Sequence, residues 1–231
     1  MRFFSASFVL CLCFLSCQSK TPTVVTAFPI AADTIAVIAE VKDMPTPPDY
    51  DTLHWTEINK LIPDLTLDLR YATENNFVGE QMYDCARAFL RPKAATALAT
   101  AAAELRKQGL YLKILDAYRP RPVQQRLWDK VPDRRYVTPP AKGSMHNRGA
   151  AVDLTLTDAA GKQLDMGTDY DYFGKEAWPE YRNLPPEVLK NRQTLRTAML
   201  NAGFRPTRTE WWHFSINGTG FGLSDWEWEC L

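Results

Sequence analysis

The segment Ala150-Ala151-Val152-Asp153-Leu154 sets one carboxylate inside an apolar run that reads as the start of a buried strand. A charge taken out of water there persists only with a partner, so any fold this chain adopts must bring one to Asp153. A metal ion is one such partner, and turn amides at a strand edge are another. His146 lies just upstream in Ser144-Met145-His146-Asn147-Arg148-Gly149, where Gly149 and the two alanines after it let backbone pack closely beside a site. A second segment, Glu210-Trp211-Trp212-His213-Phe214, places a carboxylate and an imidazole three residues apart among aromatics able to exclude water. On a regular strand such residues face opposite sides, so Glu210 is expected just before the strand or at a twist. Taken alone, this second segment also fits a core histidine beside a surface glutamate.

Together the two segments supply two imidazoles and one carboxylate, the donor set of many catalytic zinc sites with a fourth position left for water. The chain has three histidines in all, and the third, His54, stands near a Pro-rich stretch where it reads as solvated.

Around these segments the patterning predicts a mixed fold. Leu65 to Tyr71 alternates as a half-buried strand does, and Leu110 to Leu115 reads the same way. Pro92 before an alanine-rich run and Gly109 after it bracket a helix over Lys93 to Gln108, and Pro186 to Asn201, closed by Gly203, repeats that signature. Pro122 to Lys130 reads as a further helix and Glu210 to Ile216 as a last aromatic strand. No regular βαβ alternation runs through these elements, so the class is α+β, a single domain.

The amino terminus is organised differently. Arg2 and the apolar run Phe3 to Leu15 are too short to span a bilayer and match a signal-peptide core, so export is expected, with residues 1–17 as the signal. Phe14-Leu15-Ser16-Cys17 resembles a bacterial lipoprotein signal, with Phe14 in place of the expected leucine. That predicts a lipid anchor at Cys17, against the alternative of an ordinary cleaved signal. Residues 18–51 carry five prolines and read as a tether, leaving 52–231 as the domain. Cys85 and Cys230 remain in the folded part, where a disulfide and two separate thiols are both open. With 27 basic against 27 acidic residues, and no basic aromatic stripe, no nucleic-acid partner is expected.

Ser-x-His-x-x-Gly-x-Ala-x-Asp followed by Glu-x-x-His, at Ser144 to Asp153 and Glu210 to His213, resembles the zinc D-Ala-D-Ala metallopeptidase superfamily. Asp116-Ala117-Tyr118-Arg119-Pro120 and Met166-Gly167-Thr168-Asp169-Tyr170-Asp171 narrow the resemblance to VanX-type D-alanyl-D-alanine dipeptidases, over about Leu65 to Ser215. The resemblance implies a central antiparallel sheet with flanking helices, of the hedgehog and D-Ala-D-Ala peptidase type. It implies one zinc ion held by His146, Asp153 and His213, with Glu210 as general base and Arg119 stabilising the tetrahedral intermediate. Ser144 and Asp171 would bind the free ammonium of a small dipeptide. The aromatic stretch Asp171 to Lys175 departs from the family pattern. Two other readings stay open: a D,D- or L,D-carboxypeptidase trimming peptidoglycan stems, and a zinc-stabilised wall-binding module without catalysis.

Overall fold

The computed structural model describes residues 47–216 and 220–230. The expected signal segment, Cys17 and nearly all of the tether lie outside them. In chain order the strands are β1 (Thr56–Glu57), β2 (Thr66–Leu67), β3 (Phe89–Leu90), β4 (Tyr111–Asp116), β5 (Ala151–Thr157), β6 (Arg205–Pro206) and β7 (His213–Ser215). The helices are α1 (Ile58–Leu61), α2 (Pro92–Arg106), α3 (Arg121–Lys130) and α4 (Pro186–Asn201).

Five strands form the main sheet in the order β2-β4-β5-β7-β6, while β1 and β3 pair separately. All pairings are antiparallel except β2 with β4, which corrects the expected antiparallel sheet at one edge. The chain between those two strands contains α2, the kind of crossover that parallel neighbours require. The strand expected over Leu65 to Tyr71 is cut to Thr66–Leu67, because the chain turns into a 3-10 helix at Arg70–Ala72 that buries Tyr71. The aromatic strand expected from Glu210 contracts to His213–Ser215. Helices α2, α3 and α4 occupy the segments their prolines and glycines mark out.

Alternation along β5 divides its two faces. Val152, Leu154 and Leu156 point into the main core, together with Leu98, Ala101 and Leu105 of α2 and Leu195 and Met199 of α4. The alanines of α2 are buried and small, so the helix lies close against the sheet and α4. Asp153 therefore projects from the opposite face. In β4, Leu112 and Ile114 belong to the core face, and strict alternation would send Asp116 there too. A register shift between Ile114 and Asp116 prevents this: Ile114 pairs with Leu154, yet Asp116 pairs with Asp153. The extra residue re-aims Asp116 to the face that carries Asp153.

The carboxy-terminal strap, residues 220–230, crosses the molecule without regular structure. Trp226 and Trp228 pack there around Phe89 and Tyr118, with Trp55 stacked on Trp226 at 5.0 Å. Cys85 and Cys230 are joined in a disulfide, their Cα atoms 5.9 Å apart. Packing also reaches the last residues of the tether, since Tyr50 meets Phe89 edge-on at 5.1 Å and Asp49 pairs with Arg87 at 2.6 Å.

Gly149 ends the 3-10 turn His146–Arg148 with φ of 65°, and a Cβ there would stand 2.5 Å from the Trp55 ring. Gly149→Ala is expected to lower unfolding stability by about 2 kcal/mol or more, from the left-handed backbone and the clash combined. Urea denaturation of the two proteins measures it, and equal midpoints would contradict this account of the turn.

Candidate metal centre

Cross-strand neighbours set the site. Asp116 of β4, Asp153 of β5 and His213 of β7 pair in one row across the sheet, so their side chains leave the same face. His146 arrives from the 3-10 turn that feeds β5. Three atoms converge: His146 Nε2 and His213 Nδ1 are 3.1 Å apart, His213 Nδ1 and Asp153 Oδ1 2.9 Å, and His146 Nε2 and Asp153 Oδ1 3.3 Å. Among the described residues this is the one group of three metal-ligating side chains that closes on a point.

The chemistry of these donors fits a divalent cation. His146 Nδ1 donates to the Ala117 carbonyl at 2.7 Å, which leaves Nε2 with its lone pair turned into the triangle. Asp153 Oδ1 has only lone pairs to offer, and the Tyr170 hydroxyl donates to the other oxygen at 3.0 Å. Ligand atoms around a tetrahedral zinc stand about 3.3 Å apart, from bond lengths of about 2.0–2.1 Å, close to the triangle seen here. Burial opposes ionisation of Asp153, yet His146 and His213 outweigh it and hold the carboxyl well below its usual range.

Glu210 lies three residues before β7, where the chain has not yet entered the strand, as expected. Burial pushes its pKa up and the Asp153 carboxylate adds to that, while His213 acts in the opposite sense. Arg119 is buried rather than exposed as a helix-capping surface residue would be. Its Nη2 donates to Asp116 at 2.6 Å, its Nη1 to Gln124 at 3.0 Å, and its guanidinium lies 4.7 Å over the Tyr71 ring. Burial disfavours its charge, but Asp116 overrides this and the group stays protonated.

Asp171 is the one non-glycine described with positive φ, at 57°, and the Tyr71 hydroxyl donates to its carboxylate at 3.0 Å. Burial first, then Asp153, raise its pKa well above the ordinary value. Ser144 differs: its Oγ donates to Asn147 Oδ1 at 3.2 Å, and no hydrogen bond among the described residues joins it to Asp171. His54 stands apart on the surface, bonded to Asp51 at 2.6 Å. Tyr71, Tyr170 and the carboxylate of Asp116 are the neighbours that residue patterning did not single out. Asp116 and Tyr170 sat in noted motifs, but only the bulge in β4 reveals the direction of Asp116.

The D-ala-D-ala dipeptidase family matches residues 51–227. The chain is 39% identical over 166 residues to a D-alanyl-D-alanine dipeptidase of Escherichia coli, covering 72% of this chain and 86% of that protein. A D-alanyl-D-alanine dipeptidase of Streptomyces coelicolor is 31% identical over 183 residues, covering 69% and 89%. One from Enterococcus faecalis is 25% identical over 180 residues, again covering 69% and 89%.

Replacing His213 by alanine removes one of three donors and is expected to lower zinc affinity by orders of magnitude, leaving a folded chain with substoichiometric metal. Atomic absorption after gel filtration measures this, with far-UV circular dichroism as the folding control. A variant that still carries one zinc per chain would show that the ion is held elsewhere.

Proposed function

The chain belongs to the D-Ala-D-Ala dipeptidase family, a metallopeptidase family, and we propose that it hydrolyses free D-alanyl-D-alanine to D-alanine at the His146, Asp153 and His213 centre. The observation that carries the reading is the convergence of those three donors, with the half-buried Glu210 and the buried Arg119 close enough to feel their charge. Zinc is the cation that this donor set suits, and when bound it polarises a peptide carbonyl and makes a water more acidic.

The chain's own residues supply the remaining steps. Glu210, its pKa raised by burial, accepts a proton from the attacking water and delivers it to the amine nitrogen as the C–N bond breaks. Three of the five N–H donors of Arg119 face Asp116 and Gln124, which leaves two to meet the oxyanion of the tetrahedral intermediate. Asp171 pairs with the substrate ammonium, held in place by Tyr71, and the second ammonium ligand assigned to Ser144 rests on the family resemblance alone, since its hydroxyl faces Asn147. The Cys85–Cys230 bond and the signal-like residues 1–17 support an exported protein working in the cell envelope, with Cys17 as its lipid anchor.

Release of alanine by the zinc-loaded protein tests the substrate, comparing D-Ala-D-Ala, L-Ala-L-Ala and N-acetyl-D-Ala-D-Ala. Turnover of the free D,D-dipeptide is expected, whereas preference for the acetylated peptide would make the protein a carboxypeptidase. Glu210→Gln should lose about 10²–10⁴-fold in kcat with zinc content intact. Retention of rate would remove Glu210 from the mechanism, and zinc without any turnover by the wild type would point to a wall-binding module. The same inactive variant gives the pH dependence of binding. The raised pKa of Asp171 leaves it neutral below that value, so affinity for D-Ala-D-Ala should rise as pH increases through it. Asp171→Asn should flatten that rise, and an unchanged profile would place the ammonium elsewhere.

A further inference from the structure

Behind Arg119 and Asp116 a chain of contacts runs through Tyr83 and Trp228 to the neighbourhood of the disulfide. The carboxylate of Asp116 is fully buried, and its two oxygens serve different partners. Oδ2 accepts from Arg119 Nη2 at 2.6 Å and from Nε at 3.2 Å, while Oδ1 accepts from the Tyr83 hydroxyl at 2.6 Å. A guanidinium facing a free carboxylate normally takes both oxygens in parallel. With Oδ1 occupied by Tyr83, Arg119 is confined to Oδ2, which sets the rotation of its plane and the direction of its remaining N–H groups.

Tyr83 comes from the irregular stretch between the Arg70–Ala72 turn and β3, where its ring is buried in a cluster with Tyr71, Val123 and Leu127 and no helix or strand carries it. Its N–H donates to the Tyr71 carbonyl at 2.8 Å, and its ring meets Trp228 of the carboxy-terminal strap edge-on at 5.2 Å. Two residues past Tyr83 is Cys85, and two residues past Trp228 is Cys230, joined to it. The ring contact and the covalent bond thus stand side by side, clamping the same two segments. Cys230 is exposed, so the bond is open to reductants.

We propose that Tyr83 is the positioning residue for Arg119, barring it from the two-oxygen pairing with Asp116, and that the Cys85–Cys230 clamp holds Tyr83 in that place. The proposal rests on the assignment of Arg119 to the tetrahedral intermediate. Loss of the Tyr83 hydroxyl frees Oδ1, the guanidinium swings onto both oxygens, and its outward N–H groups leave the oxyanion.

The decisive comparison is steady-state hydrolysis of D-Ala-D-Ala by the full zinc-loaded chain and its variants. Tyr83→Phe keeps the ring and the disulfide; its kcat should fall about tenfold to a hundredfold, the scale of a misplacement near 1 Å, with zinc content unchanged. KM should stay within about twofold, the pattern of an interaction made in the transition state. Arg119→Ala/Tyr83→Phe should be no slower than Arg119→Ala, because the hydroxyl acts only through the guanidinium. Reducing the disulfide with a phosphine, which spares zinc where a thiol would chelate it, should slow the wild type and leave Arg119→Ala unchanged. Wild-type kcat in Tyr83→Phe overturns the proposal, as do losses that multiply in the double variant or a defect cured by added zinc. Should the reduced protein unfold, Tyr83→Phe still decides, since it retains the bond. A slow Arg119→Ala beside a normal Tyr83→Phe sinks this proposal alone, whereas a wild-type rate in Arg119→Ala removes the assignment of Arg119 and the proposal with it.

Discussion

Two imidazole nitrogens and a carboxylate oxygen held 2.9–3.3 Å apart, two of the three side chains buried, repel one another unless a cation or protons lie between them. The scaffold exists to impose that convergence. Two of the three donors come from paired positions on β5 and β7, where cross-strand geometry fixes their separation, and the third from a turn that Gly149 closes in a left-handed conformation. Helices α2 and α4 press on the opposite face of the same strands, so packing in the main core locks the row in which Asp153 and His213 sit.

The surroundings extend the same electrostatic logic. Asp116, Asp153, Asp171 and Glu210 gather four carboxylates in the neighbourhood of the Arg119 guanidinium. Burial first, and then the neighbouring carboxylate of Asp153, raises the pKa values of Asp171 and Glu210, and a divalent cation among these groups would offset part of that negative charge. Arg119 is positioned by a carboxylate rather than left mobile, and Asp171 keeps an uncommon backbone conformation beside the Tyr71 hydroxyl. Both side chains are therefore held in fixed orientations by neighbours within the fold, the kind of preorganisation on which electrostatic stabilisation depends.

Much of this was legible in the sequence because it depends on local signals. Pro92 with Gly109, and Pro186 with Gly203, delimit helices through backbone chemistry alone, and an acid in an apolar strand demands a partner wherever the strand lies. The position of Glu210 ahead of β7 followed from the impossibility of facing His213 within a regular strand. What could not be read is what depends on register and on contacts between distant segments. The parallel pairing of β2 arises from the crossover through α2, and the shortening of the Leu65 to Tyr71 strand from the burial of Tyr71 in a turn. A one-residue bulge decides the direction of Asp116, and sequence periodicity predicts the opposite face. Likewise the Cys85–Cys230 bond, whose ends are separated by 145 positions in sequence, is set by the path of the carboxy-terminal strap.

The central claim is that His146 Nε2, His213 Nδ1 and Asp153 Oδ1 form a preset receptor for one zinc ion. Anomalous diffraction at the zinc edge, from crystals of the zinc-loaded protein, tests it most directly. The account predicts a single peak within about 2.0–2.2 Å of those three atoms, with Glu210 outside the coordination sphere. A peak bound through Glu210, through the other nitrogen of either histidine, or at a different set of residues would contradict it.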